Sequence, residues 1–271
     1  MVDAKKICLV GATGRMGLAI SRALDERDDL QLVAAIARAG NAAQGRDLGA
    51  LSGGKRWGVP VTHALAAGVE AADVVIDFSH ASGVSATLAA CRAHSRALVL
   101  GTTGYDAATA EALAAASSQI PLLVAANTSL ALNVLLALVR SAAAALPAGY
   151  DIEIVETHHR NKVDAPSGTA LALGAAAGAG RGLEPATPAI TGGTPGPRPL
   201  GPIGYAVSRG GDVVGEHEVR FLGLGEQLRL SHIATDRAIF ARGALTAARW
   251  LADRPPGRFS MGDVLSIKSE T

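Results

Sequence analysis

Two adjacent histidines and a lysine, His158, His159 and Lys162, form the densest group of reactive side chains in the sequence. They follow an alternating apolar pattern and precede residues 164–169, Asp-Ala-Pro-Ser-Gly-Thr, which read as a loop ending in a helix N-cap. Histidine exchanges protons near neutral pH, and the free backbone N–H groups of a helix start bind anions such as carboxylates. The pattern indicates proton transfer to an anionic substrate, with a solvated basic turn beside an ordinary capped helix as the open alternative.

Three other residues are possible partners of residues 158–169, which are called the basic bend. Arg237 precedes the last long helix pattern, where it is either a second cation for the same cavity or a surface arginine. His217 and His232 lie in alternating strand patterns without metal-ligand spacing around them. We therefore predict that both histidines are structural and that the protein has no metal site.

Composition and charge restrict the partners that the chain can have. The sequence has 271 residues, 49% of them hydrophobic, and its 25 Lys and Arg residues nearly balance 24 Asp and Glu residues. This balance predicts a globular protein that binds neither nucleic acid nor membrane surfaces. Two cysteines, no apolar run of about 18 residues and no signal-peptide pattern favour a cytoplasmic protein without disulfides.

The first 36 residues have the pattern of a dinucleotide-binding unit. A short apolar run at residues 6–10 meets the glycines Gly11, Gly14 and Gly17, an amphipathic helix follows, and residues 30–36 supply a second strand. Glycines at such a turn let the backbone approach a pyrophosphate at a helix N-terminus. A plain strand-to-helix turn remains the alternative.

The end of the second strand indicates the cofactor. A ribose-binding acid is expected there, but the strand ends at Ala37 and Arg38. Because guanidinium binds phosphate in a bidentate manner, we predict that NADPH is preferred and that NADH is possible. The alternative for Arg38 is a solvated surface arginine.

The remaining patterns predict two domains. Strand and helix patterns alternate up to about residue 125, with a loop at 39–60, which is typical of a doubly wound parallel sheet. After a helix at 130–146, period-2 runs predict a mixed sheet, followed by a mobile loop at 178–202 and a helix at 238–251. The predicted fold class is thus α/β, a Rossmann-like domain of residues 1–128 completed by about 239–271, with an α+β domain of residues 129–238 for substrate binding and oligomerisation.

Several motifs resemble those of the dihydrodipicolinate reductase family, and the resemblance runs essentially from end to end. They are GATGRMG at 11–17, GTTG at 101–104, AANTS at 125–129, ETHHRNKVDAPSGTA at 156–170, GEHEVRF at 215–221 and SHIATDRAIFARGA at 231–244. The segment 156–170 is long and specific to the family. The resemblance implies NAD(P)H-dependent reduction of the dicarboxylate (2S,4S)-4-hydroxy-2,3,4,5-tetrahydrodipicolinate to tetrahydrodipicolinate with loss of water, in the diaminopimelate route to lysine, by a homotetramer.

The same resemblance implies roles for individual residues. His158 is the proton donor or acceptor, and Lys162 is the second proton donor. The substrate carboxylates are held by His159, Ser167, Gly168, Thr169 and Arg237. The cofactor is held by Gly11, Ala12, Thr13, Gly14, Arg15, Met16, Arg38, Gly101, Thr102, Thr103, Ala125, Ala126, Asn127 and Thr128.

Two departures from the family pattern concern the cofactor. Many members have Glu where Ala37 stands and use either cofactor, and many have Phe where Thr128 stands. Two other functions stay open from the sequence. One is a different two-domain NAD(P) oxidoreductase, such as an amino-acid or sugar dehydrogenase, and the other is a non-catalytic NADP-binding regulatory protein.

Overall fold

The computed structural model describes residues 3–183, 189–191 and 196–267. The chain forms two compact units: unit 1 ends at Leu130 and resumes at Ala238, and unit 2 comprises Ala131–Arg237. No helix in these described residues combines the length and the apolar character needed to cross a membrane.

The described residues contain strands and helices that are numbered in chain order. The strands are β1 Lys5–Val10, β2 Leu30–Ile36, β3 Val61–Thr62, β4 Val74–Asp77, β5 Ala97–Leu100, β6 Pro121–Val124, β7 Asp151–His158, β8 Ala189–Thr191, β9 Ile203–Arg209, β10 Gly215–Leu222, β11 Gln227–Ala234 and β12 Gly257–Phe259. The helices are α1 Arg15–Ala23, α2 Leu48–Ser52, α3 Leu65–Glu70, α4 Val84–Ala93, α5 Ala107–Ala116, α6 Leu130–Ala145, α7 Gly168–Gly180, α8 Ala238–Leu251 and α9 Met261–Val264.

Unit 1 is built on a parallel sheet with the strand order β12-β6-β5-β4-β1-β2-β3. Successive residues of a strand point to opposite faces, so Ile7 and Leu9 pack in one apolar cluster with α1 and α8, while Cys8 and Val10 pack in another with α3, α4 and α5. Both faces of the sheet are therefore covered, as a parallel sheet requires. The predicted Rossmann-like fold is confirmed.

The tail of the chain belongs to unit 1. Strand β12 pairs in parallel with β6, with Arg258 opposite Leu122, and α8 contributes Leu245 and Leu251 to the cluster that also holds Ile7. The apolar periodicity of residues 238–251 is thus accounted for by burial against this sheet.

The prediction of a loop throughout residues 39–60 was wrong at α2. Asp47 caps this helix by accepting a hydrogen bond from the backbone N–H of Ala50 at 2.9 Å, and Leu48 is fully buried. The surrounding glycines gave this stretch the composition of a loop, whereas a single cap and one buried leucine are enough to form a helix of one turn.

Unit 2 contains a mixed sheet with the strand order β11-β10-β7-β9-β8. Strands β7 and β10 are antiparallel, whereas β9 runs parallel to β7. Ile154, Val219 and Phe221 project from the sheet into a core that α6 and α7 complete. The predicted second domain with a mixed sheet is confirmed by this arrangement.

The prediction of a mobile loop at residues 178–202 was wrong in two described places. Helix α7 continues to Gly180, and residues 189–191 form β8, which pairs in parallel with β9. The rest of the prediction falls partly on residues 184–188 and 192–195, which lie outside the described residues. Strand β8 is too short to show an apolar pattern of its own, so its formation depends on its pairing with β9.

Candidate active site

A cavity of about 750 Å³ in unit 1 lies at the carboxyl ends of β1, β2 and β4, where parallel sheets bind ligands. Gly11 lies at its floor with φ +77°, and a Cβ at this position would be 2.4 Å from the carbonyl oxygen of Phe78. Only glycine fits here, because the loop packs closely against the backbone that follows β4. The cradle fits the pyrophosphate of a dinucleotide.

Four of the residues that were predicted to bind the cofactor line this cavity, namely Gly11, Thr13, Gly14 and Arg38. Arg38 is exposed at its rim, and the described lining includes no carboxylate. Asn41 also lines the cavity and donates a hydrogen bond from Nδ2 to Thr13 Oγ1 at 3.0 Å. The described lining therefore includes the cation of Arg38 and one side-chain amide.

The other predicted cofactor residues occupy the loops around this sheet edge. Ala12, Arg15 and Met16 belong to the glycine loop and the start of α1. Gly101, Thr102 and Thr103 follow β5, and Ala125, Ala126, Asn127 and Thr128 follow β6. Their roles stay predictions.

Two of these hydroxyl groups already have partners in the protein. Thr102 donates a hydrogen bond from Oγ1 to Asp77 Oδ1 at 2.9 Å. Thr128 donates from Oγ1 to the carbonyl oxygen of Phe240 at 2.6 Å and is 1% exposed. The Thr128 side chain thus joins the loop after β6 to α8.

Further cavity residues follow two other strands. Phe78, Ser79 and His80 follow β4, and His63 follows β3. They line the same cavity because residues directly after the buried strands of a parallel sheet meet at one edge.

The basic bend of unit 2 is held in place by main-chain hydrogen bonds. His159 N donates to the carbonyl oxygen of Val213 at 2.8 Å, and Lys162 N donates to that of His159 at 3.1 Å. At the end of the bend, Ser167 caps α7 by accepting a hydrogen bond from Ala170 N at 3.2 Å. Gly168 and Thr169 therefore form the first turn of α7, the end of the helix whose dipole favours an anion.

The two adjacent histidines face different surroundings, as the strand alternation predicts. His158 is 7% exposed and shares the buried face of β7 with Ile152 and Ile154, whereas His159 is partly exposed. A Cβ at residue 215 would lie 3.0 Å from His158 Nε2, so Gly215 leaves this ring nitrogen uncovered. His158 thus has one nitrogen directed into the protein and one beside an open position.

Glu156 is the main residue that the sequence analysis missed. Its side chain is 1% exposed, and Oε1 accepts hydrogen bonds from Ser167 N at 2.8 Å and from Arg209 Nη2 at 3.1 Å. Oε2 lies 2.6 Å from Nδ1 of His158, a contact that is not in line with the ring N–H and is an ion pair only when His158 is protonated. The sequence does indicate that Glu156 is unusual, since it stands at a position where the alternating strand pattern expects an apolar residue.

His217 completes this cluster from the neighbouring strand. It lies directly opposite Glu156 in the register of β7 and β10, and its Nε2 is 3.2 Å from Ser167 Oγ and 3.9 Å from Glu156 Oε2. Its ring packs edge-on against that of His158, with the centroids 5.0 Å apart. The predicted structural histidine is thus in contact with the basic bend.

The pKa values of the cluster reflect burial opposed by local charge. Burial alone would raise the pKa of Glu156, but hydrogen bonds from Ser167 and Arg209 and the charge of His158 outweigh it, and the pKa is lowered. Burial lowers the pKa of His158, and Lys162 and Arg209 lower it further, against the opposing effect of Glu156. Burial, followed by the charge of His158, lowers the pKa of His217 to about 4. His217 is therefore neutral at pH 7.

We expect His217 to make the protein less stable in acid. Its folded pKa of about 4 lies below the unfolded value of 6.5, so the unfolded chain binds the extra proton between these values, and stability falls as pH drops from 6.5 to 4. The contribution is roughly 3 kcal/mol. Urea unfolding at several pH values should give a smaller loss for His217→Gln than for the wild type, with the exposed His63→Gln as the control. An unchanged slope in His217→Gln would contradict this prediction.

Glu156, His158 and His217 also have donor atoms that all lie within 4.8 Å of one another, close enough to raise the question of a metal ion. Two ligands at roughly 2.1 Å from a tetrahedral ion are about 3.4 Å apart, which is longer than the 2.6 Å between Nδ1 and Oε2. Arg209 and Lys162 also place positive charge near the cluster. Spacing and charge both favour a proton-carrying pair over a metal centre, and the absence of a metal site stays a prediction.

Lys162 and Arg237 complete the set of predicted substrate residues. Lys162 Nζ forms an ion pair with Asp164 Oδ1 at 2.9 Å, and the lysine side chain is 22% exposed. Arg237 is exposed at the C-terminal boundary of unit 2. Among the described residues, no hydrogen bond or ion pair joins it to the basic bend. The structure thus places Lys162 within the basic bend and leaves the role of Arg237 a prediction.

Comparison with known proteins identifies similar chains over nearly the full length. Residues 5–128 match the family model described as Dihydrodipicolinate reductase, N-terminus, and residues 131–265 match the one described as Dihydrodipicolinate reductase, C-terminus. The 4-hydroxy-tetrahydrodipicolinate reductase of Cereibacter sphaeroides is 47% identical over 270 residues, covering 98% of this chain and 100% of that protein. The protein of the same name from Rhizobium rhizogenes is 46% identical, covering 98% of each chain.

A solved structure supports the fold independently. Dipicolinate-bound dihydrodipicolinate reductase from Paenisporosarcina sp. TG-14 superposes with a TM-score of 0.76 at 22% identity, covering 95% of this chain and 97% of the other. At this identity the similarity concerns the fold alone, which agrees with the two units described above.

Proposed function

The chain belongs to the dihydrodipicolinate reductase family, and we propose that its reaction, the NAD(P)H-dependent reduction of 4-hydroxy-tetrahydrodipicolinate to tetrahydrodipicolinate with loss of water, takes place at the basic bend. The observation that carries this proposal is the position of His158, a buried histidine within a few residues of Lys162 and the α7 N-terminus. These groups supply a proton and bind carboxylates.

The proton is the first task of these residues. Addition of a hydride to the unsaturated ring leaves a carbanion-like carbon, which must be protonated. A bound nicotinamide cofactor supplies the hydride, and His158 donates the proton from Nε2, the nitrogen beside Gly215. Lys162 is the second proton donor, and its charge offsets the negative charge that develops.

Binding of the two substrate carboxylates is the second task. Gly168 and Thr169 lie at the start of α7, where the helix dipole favours anions. A side chain at residue 168 would meet nothing within 4 Å, so the approach to this helix start is open. Arg237 adds positive charge, His159 offers a ring nitrogen for a hydrogen bond, and Ser167 holds the cap.

The test is an assay in which the freshly condensed product of aspartate semialdehyde and pyruvate is added to the purified protein with NADPH. We expect oxidation of NADPH that depends on both the condensation product and the protein. Binding of NADPH without oxidation would identify a regulatory cofactor-binding protein instead. Protection of the protein against thermal unfolding by pyridine-2,6-dicarboxylate would support the dicarboxylate site independently.

Arg38 supports a preference for NADPH over NADH. Its side chain is exposed at the cavity rim, where it would pair with a 2′-phosphate. We expect Arg38→Ala to raise KM for NADPH by roughly 10-fold or more, as loss of a charged hydrogen bond predicts, while KM for NADH changes little. Steady-state kinetics with both cofactors measure this, and Arg46→Ala, in the exposed loop that follows, is the matched control. A higher kcat/KM for NADH in the wild type would contradict the preference.

Two further properties belong to the proposal. One is assembly into a homotetramer through unit 2, for which the exposed Leu228 and Ile233 on β11 offer apolar surface. Sedimentation velocity would give the mass. A cytoplasmic location is supported by the two unpaired cysteines, Cys8 and Cys91, and is testable by cell fractionation.

A further inference from the structure

The buried carboxylate of Glu156 is bonded to several parts of the site. A carboxylate that is 1% exposed must be compensated, and Oε1 alone receives two hydrogen bonds, from Ser167 N and from Arg209 Nη2. Arg209 also donates from Nη2 to the carbonyl oxygen of Asp164 at 2.7 Å. One oxygen of Glu156 therefore joins the strand to the bend and to the cap of α7.

The second oxygen faces the proton donor. Oε2 has no in-line hydrogen bond to any described residue, and the same holds for Nδ1 of His158, which lies 2.6 Å away. An ionised carboxylate only accepts hydrogen bonds, so a proton on Nδ1 is required for a favourable contact. With Nδ1 protonated, Nε2 is the nitrogen that gains and loses the proton.

Gly215 completes the geometry on the other side of the ring. It lies on β10, the strand that pairs with β7, and any side chain there would crowd Nε2, since even a Cβ would be 3.0 Å away. The ring is thus held at one nitrogen and open at the other. His217 packs edge-on against the same ring and limits its rotation.

We propose that Glu156 is the positioning residue of this reaction: its Oε2 sets the Nδ1–H tautomer and the orientation of His158, while its Oε1 holds the start of α7, so that proton donor and carboxylate site are fixed by one side chain. The proposal rests on the proposed role of His158. It assigns to Glu156 a task through His158 and not a contact with the substrate. Neither the family comparison nor the sequence patterns gave Glu156 a role.

The negative charge of Glu156 affects the pKa of His158, which can be measured. The groups that face His158 are Glu156 on its own strand, His217 on β10, Arg209 on β9 and Lys162 in the bend. Burial lowers the pKa of His158, and Glu156 opposes that effect. Removing the negative charge lowers the pKa of His158 further, so the pH range in which it can donate a proton moves to lower pH.

The test begins with the wild-type protein. Nitrogen-15 NMR of the His158 ring, assigned by the loss of its signal in His158→Gln, should show the Nδ1–H tautomer above its pKa. In Glu156→Gln we expect a lower His158 pKa, a kcat reduced by about 10- to 100-fold, as for loss of an orienting partner of a functional histidine, and the alkaline limb of the kcat profile moved to lower pH. KM for NADPH should stay unchanged.

Two variants act as controls. Glu153→Gln, on the same strand but the other face, should keep the wild-type His158 titration and kcat. Glu156→Asp keeps the charge and should restore part of the pKa and of kcat. Should Glu156→Gln fail to fold, the wild-type tautomer and the Glu156→Asp titration still decide the question.

The outcomes separate this proposal from the proposed function. An Nε2–H tautomer in the wild type, or a Glu156→Gln variant whose lower kcat comes with an unchanged His158 pKa, would overturn the positioning role and leave only a packing role. A displaced His158 pKa in Glu156→Gln together with wild-type turnover in His158→Gln would instead support the contact and reject His158 as the proton donor.

Discussion

Replacement of His158 by glutamine is expected to lower kcat by roughly 10²-fold or more, the size of a general-acid contribution, while Kd for NADPH stays nearly unchanged. Glutamine keeps a polar side chain of similar length on the buried face of β7 but cannot donate a proton to carbon at neutral pH. Since His158 belongs to unit 2 and the glycine-loop cavity to unit 1, cofactor binding should not respond.

The measurement combines single-turnover oxidation of NADPH with fluorescence titration of the cofactor. His94→Gln, at the C-terminal cap of α4 in unit 1, is the matched control and should keep wild-type turnover. Wild-type turnover in His158→Gln would reject the assignment. A loss of activity with an equal loss of NADPH affinity would point to misfolding, which thermal unfolding of the variant would reveal.

The fold could largely be predicted because its strong patterns are local. Strand β2 and helix α8 have the bounds that the sequence indicated, since each is a single apolar run or a clean amphipathic period. Helix α2 and strand β8 were missed, because one depends on the cap of Asp47 and the other on pairing with β9. Short elements of this kind are stabilised by tertiary contacts that no local pattern contains.

The residues of the candidate site are likewise of two kinds, those that a local sequence pattern contains and those that only the fold brings together. Residues that the chain places side by side, such as His158 and Lys162, could be found by reading the sequence. Glu156, His217 and Arg209 meet only through the pairing of β7 with β10 and β9. The polar side chains of Glu156 and His217, at buried positions of β7 and β10, were nevertheless a usable signal, because buried polar groups need partners.

Replacement of Lys162 is expected to have the second large effect on turnover. Two variants separate the contribution of its charge from that of its proton. Its ion pair with Asp164 is partly exposed, and such pairs contribute no more than about 1 kcal/mol, so replacing the lysine should leave the fold intact. Lys162→Met removes both the charge and the proton. We expect kcat to fall by roughly 10²-fold, as for a general acid, and KM for the substrate to rise, because a cation near the carboxylates is lost.

Lys162→Arg distinguishes the two contributions. Arginine keeps the positive charge but stays protonated at all accessible pH values, so it binds a carboxylate without donating a proton. We therefore expect KM close to the wild-type value with kcat still reduced. Arg160→Met, which removes an exposed cation from the same bend, is the matched control and should change neither constant. Wild-type kcat in Lys162→Arg would reject proton donation by Lys162 and retain only its charge, whereas wild-type kcat/KM in Lys162→Met would reject both, because neither the proton nor the charge would then contribute to the reaction.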